Sequence, residues 1–274
     1  MVSFSVNTNP GAFIALQNLS STNKSLETTQ LRITTGLRVN GPKDDASTFA
    51  IAQNMRGSIA GLQSVKIALA GGESTVNVAI TGGKSIADLL IEMKAKVVQA
   101  ANQGGLDSAS RTALHNDFVA LRDQISTIVG TASFNGKSLI TSGATNLTVL
   151  STVDGSTITV SSQSMDVTAL GISATTLLNS SGAASALTSI NSAIVRVSDK
   201  LAALGSASKR IEVQSEFTVK LTDILKEGVG NLVDANMAEE SAALQALQIK
   251  QQLGIQSLAI ANSNPQSILQ LFQG

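Results

Sequence analysis

The chain has 274 residues, 19 basic and 19 acidic side chains, one His, and no Cys, Trp or Tyr. This composition excludes a disulfide-stapled domain or a thiolate site. Zero net charge with scattered Lys and Arg argues against a nucleic-acid partner, which needs clustered cations, and no run of about 20 apolar residues is present to span a membrane.

The opening stretch, residues 1–11, has neither a basic n-region nor a continuous apolar h-region, so it does not read as a cleaved secretory signal and leaves export to another route. Asn9 followed by Pro10 reads as an N-cap and first helical residue. Phe13, Leu16, Leu19, Leu26, Ile33 and Leu37 continue a helical stripe to about Thr35, where Gly36 and then Val39-Asn40-Gly41-Pro42 break it. Asp44, Asp45 and Ser47 offer caps and negative charge for the next helix.

That helix organises the chain. From Ala46 to Ala101 there is no proline, and Met55, Leu62, Leu69, Val76, Gly83, Leu90 and Val97 recur every seventh residue, with a second line through Ile59, Ile80, Ala87 and Ala101. A heptad seam of this kind predicts a rod roughly 80 Å long, which needs apolar partners along its length. Gly104 and Gly105 read as its stop signals. Asp107 or Ser108 then caps a third helix carrying Leu114, Phe118, Leu121, Ile125 and Ile128 to about Val129. His115 lies on it and reads as a solvated residue, because a metal-binding or catalytic His needs partners and the chain has no second His and no Cys.

The pattern changes at Phe134. Asn135-Gly136 is a strong hairpin signal, and Leu139-Ile140, 147–153 and 157–160 are β-branched, partly alternating runs between Ser and Gly turns, so 135 to about 172 reads as a small hairpin region. Its hydroxyl density suits a solvated β surface. It also offers O-glycosylation positions, among them Thr141, Ser151, Thr157 and Ser161. The N-glycosylation patterns beginning at Asn146 and Asn179 are of a kind that arises by chance. From about Ala183 a second long stripe returns through Leu187, Ile194 and Leu201 on one line and Ile190, Val197, Leu204, Ile211, Leu225 and Leu232 on the other. Gly228 and Gly230 loosen it before a last helix, from about Ala238 to Phe272, in which Pro265 is expected to bend or interrupt the backbone. Leu244, Leu247 and Leu258 mark one face of this helix and Gln245, Gln248, Gln252 and Gln256 another, polar yet uncharged.

The layout is palindromic: short helix, spacer, long helix, helix and hairpin, long helix, spacer, short helix. It predicts a mainly α fold, a long antiparallel coiled-coil-like bundle with a small β-hairpin region and with N- and C-terminal helices paired. The corresponding division is 1–42, 43–133, 134–180, 181–233 and 234–274: inner helix and spacer, first rod segment, outer hairpin, second rod segment, spacer and last inner helix. The terminal pair is apolar on more than one side and is expected to gain order on assembly.

Two stretches carry a family resemblance. Leu31-Arg32-Ile33-Thr34-Thr35-Gly36-Leu37-Arg38-Val39-Asn40, then Asp44-Asp45-Ala46 and Met55-Arg56, resembles the N-terminal signature of bacterial flagellins, and Phe134-Asn135-Gly136-Lys137 is similar to the start of that family's hairpin. Asp234-Ala235-Asn236-Met237-Ala238-Glu239-Glu240, then Leu244, Gln252-Leu253-Gly254, Ala259-Ile260-Ala261-Asn262 and Pro265-Gln266, resembles the C-terminal signature. The resemblance implies a secreted, non-enzymatic subunit of the extracellular flagellar filament used for swimming, with no cofactor and no metal. It also implies export in unfolded form through the flagellar type III channel. Its partners would be other copies of itself, sister flagellins, an export chaperone, the filament cap and hook-associated proteins. Leu31, Gly36, Leu37, Arg38, Asn40, Asp44, Asp45, Met55, Arg56, Leu244, Gln252, Ala259, Asn262 and Pro265 are the matching positions expected to serve self-assembly. With only 140–179 in the family's variable interval, the resemblance implies a short form with little outer domain. A hook-filament junction protein, with similar terminal helices but unable to polymerise alone, is the alternative.

Overall fold

The computed structural model describes residues 8–102 and 107–272, with side chains as far as residue 263. The stop signals at Gly104 and Gly105 lie outside the described residues. In chain order the elements are α1 (Pro10–Thr35), α2 (Ala46–Ala101), α3 (Ser108–Thr131), β1 (Leu147–Leu150), β2 (Thr157–Val160), α4 (Ser180–Val233) and α5 (Met237–Phe272). The chain folds as two compact units, one of residues 1–57 with 224–274 and one of 58–223.

The larger unit, 58–223, holds most of the apolar core. The heptad seam of α2 faces it, with Leu62, Leu69, Val76, Leu90 and Val97 all at most 3% exposed. From α4 come Ile190, Val197, Leu204 and Ile211, from α3 Phe118, Ile125 and Val129, and from the outer segment Val149, Val160, Met165, Leu170 and Ile172. On α4 the line beginning at Ile190 is therefore the buried one, while Leu187, Ile194 and Leu201 pack at its margin. α3 folds back antiparallel on α2: Lys96 pairs with Asp117 at 2.7 Å, and Gly82 meets Ile128 and Ala132 further along. α4 also packs on α2, with Gly83 against Leu201 in the larger unit and, within the smaller unit, Met55 against Gly228.

Local chemistry fixes the joints. Asp107 caps α3 by accepting from the Ser110 N–H at 2.8 Å. Asn179 caps α4, its side-chain oxygen 2.6 Å from the Gly182 nitrogen. Asn135 (φ 49) and Gly136 (φ 75) form the two-residue turn expected of Asn-Gly, and Phe134 and Lys137 exchange both backbone hydrogen bonds at 2.9 Å. β1 and β2 pair antiparallel from Leu147↔Val160 to Leu150↔Thr157. Leu139 and Ile140, read as strand-like, are instead buried irregular chain that accepts hydrogen bonds from Gln163 and Met165. Gly228 and Gly230 do not break α4, and α5 continues through Pro265 without interruption.

Glycines of α2 seat the outer segment. A Cβ on Gly61 would overlap Val153, one on Gly72 would lie 2.5 Å from Val149 Cγ2, and one on Gly83 would lie 2.8 Å from Leu201 Cδ2 and 3.1 Å from Met165 Sδ. The three glycines are eleven residues apart, close to three helical turns, so they lie in one line along α2. Gly71 meets nothing within 4 Å.

Candidate functional site

The matching positions of the two signatures lie in the smaller unit, 1–57 with 224–274, and the spacers there are tied together by their backbones. Gly36 adopts φ 71, a left-handed C-cap that costs glycine little, and returns its N–H to Arg32 O at 2.8 Å. Its carbonyl accepts from Ala235 N at 2.9 Å, and Leu37 bridges Asp234. Arg38 N and Val39 N both donate to Val233 O, at 2.7 and 3.2 Å, and the Arg38 guanidinium adds a 2.7 Å bond to Leu232 O. Val39 is buried beneath this crossing. Asp44 Oδ2 accepts from the N–H groups of Asn40 and Gly41, which closes the turn before α2. Asp45 caps α2 by accepting from Ser47 N, Thr48 N and Thr48 Oγ1. The hydrogen bonds from Thr48 hold its carboxyl below the usual carboxylate range.

Beyond the joint, α1 and α5 run antiparallel as a pair. Asn9 caps α1 with its Oδ1 and donates from Nδ2 to Ala261 O at 2.7 Å. Asn23 and Gln251 share a 2.8 Å hydrogen bond, Leu19 packs on Gly254, and Arg32 pairs with Glu240 at 3.0 Å. None of these pairings is spelled out by periodicity. In the sequence Asn9 showed only as the α1 cap, and Glu239 and Glu240 only as part of the C-terminal signature.

Of the remaining expected positions, Leu244 is half-buried and Met55 packs beside Gly228, while Arg56 is half-buried. Leu31, Gln252, Ala259 and Asn262 are exposed, and the side chain of Pro265 lies outside the described ones. The pair itself buries little: in α1 only Ala15 and Thr29 are buried. Phe13, Ile14, Leu16 and Leu31 stay 45–65% exposed on α1, and Ile249, Leu253, Ile255 and Ile260 stay 54–65% exposed on α5. Two helices that hold each other through a narrow seam and leave most large apolar side chains in water present a surface for further chains.

Chemistry is sparse elsewhere. His115 is half-buried, and its Nδ1 lies 3.4 Å from the Leu177 N–H, so it steadies the approach to α4 and is less solvated than the sequence suggested. Among the described residues no group of His, Asp or Glu is placed to hold a metal ion, and no helix is long and apolar enough to cross a membrane. Of the hydroxyls considered for glycans, Thr157 and Ser161 are exposed and Thr141 is half-buried. Ser151 is 7% exposed and donates to Ser156 O, so it is not free to carry a sugar. Asn146 accepts from Ser162 N, and Asn179 is engaged as the α4 cap.

Comparison with known proteins places this geometry. The model of the bacterial flagellin N-terminal helical region matches residues 6–145, and that of the C-terminal helical region matches residues 187–272. The chain belongs to the bacterial flagellin family. Among relatives, flagellin FljK of Caulobacter vibrioides is 44% identical over 270 residues, covering 98% of each chain. A flagellin of Brucella melitensis is 35% identical, covering 98% of this chain and 99% of its own. A flagellar hook-associated protein from Vibrio parahaemolyticus superposes with a TM-score of 0.58 over 70% of this flagellin and 100% of that chain. At 15% identity that likeness concerns fold alone. As a flagellin it is a structural protein and not an enzyme.

Proposed function

We infer that this flagellin polymerises into the helical filament of the bacterial flagellum, each subunit packing its α1–α5 pair against those of its neighbours. The observation that carries the reading is the set of large apolar side chains that the pair leaves in water on both helices. Burying a Leu or Ile is worth about 1.5–3 kcal/mol, so neighbours offering the same faces gain by covering them. Repeats along an open helix require heterologous contacts that do not close into a ring.

In this reading the backbone joint around Gly36, Arg38 and Val233 ties the two spacers of the smaller unit together. Leu31, Leu244, Ala259 and Asn262 face neighbouring subunits. The uncharged Gln245, Gln248, Gln252 and Gln256, all exposed, form a wet lining of the inner tube that does not hold passing chains by charge. The subunit is secreted and extracellular. Sister flagellins, an export chaperone, the filament cap and hook-associated proteins complete its set of partners. Of the four hydroxyls considered for glycans, Thr157 and Ser161 are the exposed ones and are the positions open to a sugar.

Seeding the purified protein with short filament fragments and imaging it by electron microscopy tests this. Growth of helical fibres is expected. A protein that stays monomeric with seeds, at any concentration, behaves instead as a junction protein and overturns the filament reading.

A further inference from the structure

Sulfur in this chain is confined to five Met, with no Cys to compete for an oxidant. Among the described residues the thioethers sit in unlike surroundings. Met93 and Met165 are fully buried in the core of the larger unit, and Met55 is half-buried with its Cε against Gly228. Met237 is 45% exposed. It is the first residue of α5, directly after Asn236, whose side chain accepts from Ala238 N at 3.2 Å, and two residues after Ala235, whose N–H closes the spacer joint on Gly36 O. Half-buried Leu244, two helical turns on, continues the same line of α5.

We propose that Met237 is a peroxide-reactive site of the free subunit and that its conversion to the sulfoxide blocks assembly. A two-electron oxidant reaches a thioether only where the sulfur is open to solvent, so hydrogen peroxide meets Met237 before Met93 or Met165. The sulfur attacks one peroxide oxygen: an S–O bond forms as the O–O bond breaks, the sulfur loses two electrons, and the proton of the transferred oxygen passes to the departing hydroxide, which leaves as water. The product carries a strong hydrogen-bond acceptor where a soft apolar group stood. In the free subunit this oxygen stays hydrated and the Asn236 cap is untouched, so the fold is retained. Once neighbouring subunits cover the apolar surface of the α1–α5 pair, burying an unpaired sulfoxide is unfavourable. The proposal rests on the filament reading and names the residue at which an oxidant acts on it.

The purified full chain is treated with hydrogen peroxide, the sites of oxidation are followed by peptide mass spectrometry, and seeded growth is measured after the oxidant is removed. Met237 is expected to convert well before Met93 and Met165, with the unfolding midpoint of the free subunit unchanged. Conversion is expected to raise the critical concentration at least about tenfold, the effect of burying one unpaired polar group. Methionine sulfoxide reductases of both epimer specificities are expected to restore growth. Met237→Leu, a volume-conserving exchange, is expected to assemble like wild type and to keep assembling after peroxide. Equal rates at Met237 and the two buried methionines overturn the assignment of the site. Unchanged growth once Met237 is fully converted, or a Met237→Leu protein as sensitive to peroxide as wild type, overturns the block on assembly and leaves the filament reading intact. Failure of untreated wild-type protein to grow on seeds overturns the filament reading itself, and the block on assembly with it.

Discussion

Val153 rests directly on Gly61, so closely that any side chain at position 61 would overlap its Cγ1, and Val149 takes the same place over Gly72 one step along α2. The hairpin is held to the rod by the absence of side chains as much as by their presence. Helix propensity alone favours Ala over Gly by about 1 kcal/mol, so retaining glycine here stabilises only through the contact it permits.

The neighbours Gly71 and Gly72 separate the two effects. Gly71→Ala meets open space and is expected to stabilise by up to about 1 kcal/mol, raising Tm by about 2–4 °C in a domain of this size. Gly72→Ala drives a methyl into Val149 and is expected to destabilise, since overpacking costs about 1–3 kcal/mol and outweighs the propensity gain. Thermal unfolding followed by circular dichroism decides it, and equal shifts for the two variants would contradict the seating role.

Asp45 gives the α2 start a pH dependence. Its folded carboxyl titrates below the ordinary aspartate range, chiefly through the hydrogen bond from the Thr48 hydroxyl and then that from the Thr48 N–H. A depressed folded pKa contributes stability that is present above the unfolded pKa and lost as pH falls through the folded one. Asp45→Ala is therefore expected to destabilise at neutral pH, with the difference from wild type shrinking as the pH falls below 3.8. Urea unfolding at neutral and acid pH measures this. A difference that persists unchanged in acid would assign the effect to something other than the carboxylate cap.

The thin α1–α5 seam predicts unequal protection. In the dilute subunit, amides of α1 and α5 are expected to exchange with solvent well before those of the core around Leu69, Leu90 and Val197, because local opening is easiest where little apolar area is buried. Arg32→Ala, which strands a Glu240 only 13% exposed, should speed exchange further in α1. Mass spectrometry of exchanged peptides reads both, before and after polymerisation. Slow exchange of both helices in free wild-type monomer would refute the prediction.

The amide face of α5 carries the fourth expectation. With Gln252 and Gln256 exposed on that helix, Gln252→Lys with Gln256→Lys should give shorter, slower-growing filaments on cells, because fixed cations attract the acidic segments of passing chains. Filament length distributions by electron microscopy test it, and lengths equal to wild type would remove the role of the uncharged lining.

The helices and their limits were legible because their causes are local. Asn9-Pro10 starts α1, Gly36 ends it, Asp45 opens α2, and the sevenfold return of Leu62, Leu69, Val76, Leu90 and Val97 marks the face that is buried. Asn135-Gly136 announced its turn for the same reason, since both residues tolerate positive φ. The two signatures named the residues of the spacer joint, though not their partners.

Partners are the part that sequence spacing leaves open. The pairing of Arg32 with Glu240, of Asn9 with Ala261, and of Arg38 with Val233 joins residues from opposite ends of the chain, and periodicity along one helix carries no information about the register of another. Gly61, Gly72 and Gly82 look alike in sequence to Gly57 and Gly71. Only tertiary packing distinguishes a glycine under Val153, Val149 or Ile140 from one facing open space. By itself the sequence determined where α1 and α2 begin, which stripe α2 buries and to which family the chain belongs, because caps, turns and hydrophobic period act over a few residues, whereas the start of α4 and the choice between its two apolar lines waited for the structure. Tertiary structure decided which glycines are contacts, which hydroxyl is buried and which apolar side chains remain in water, because each of those depends on atoms brought close only when distant segments pack.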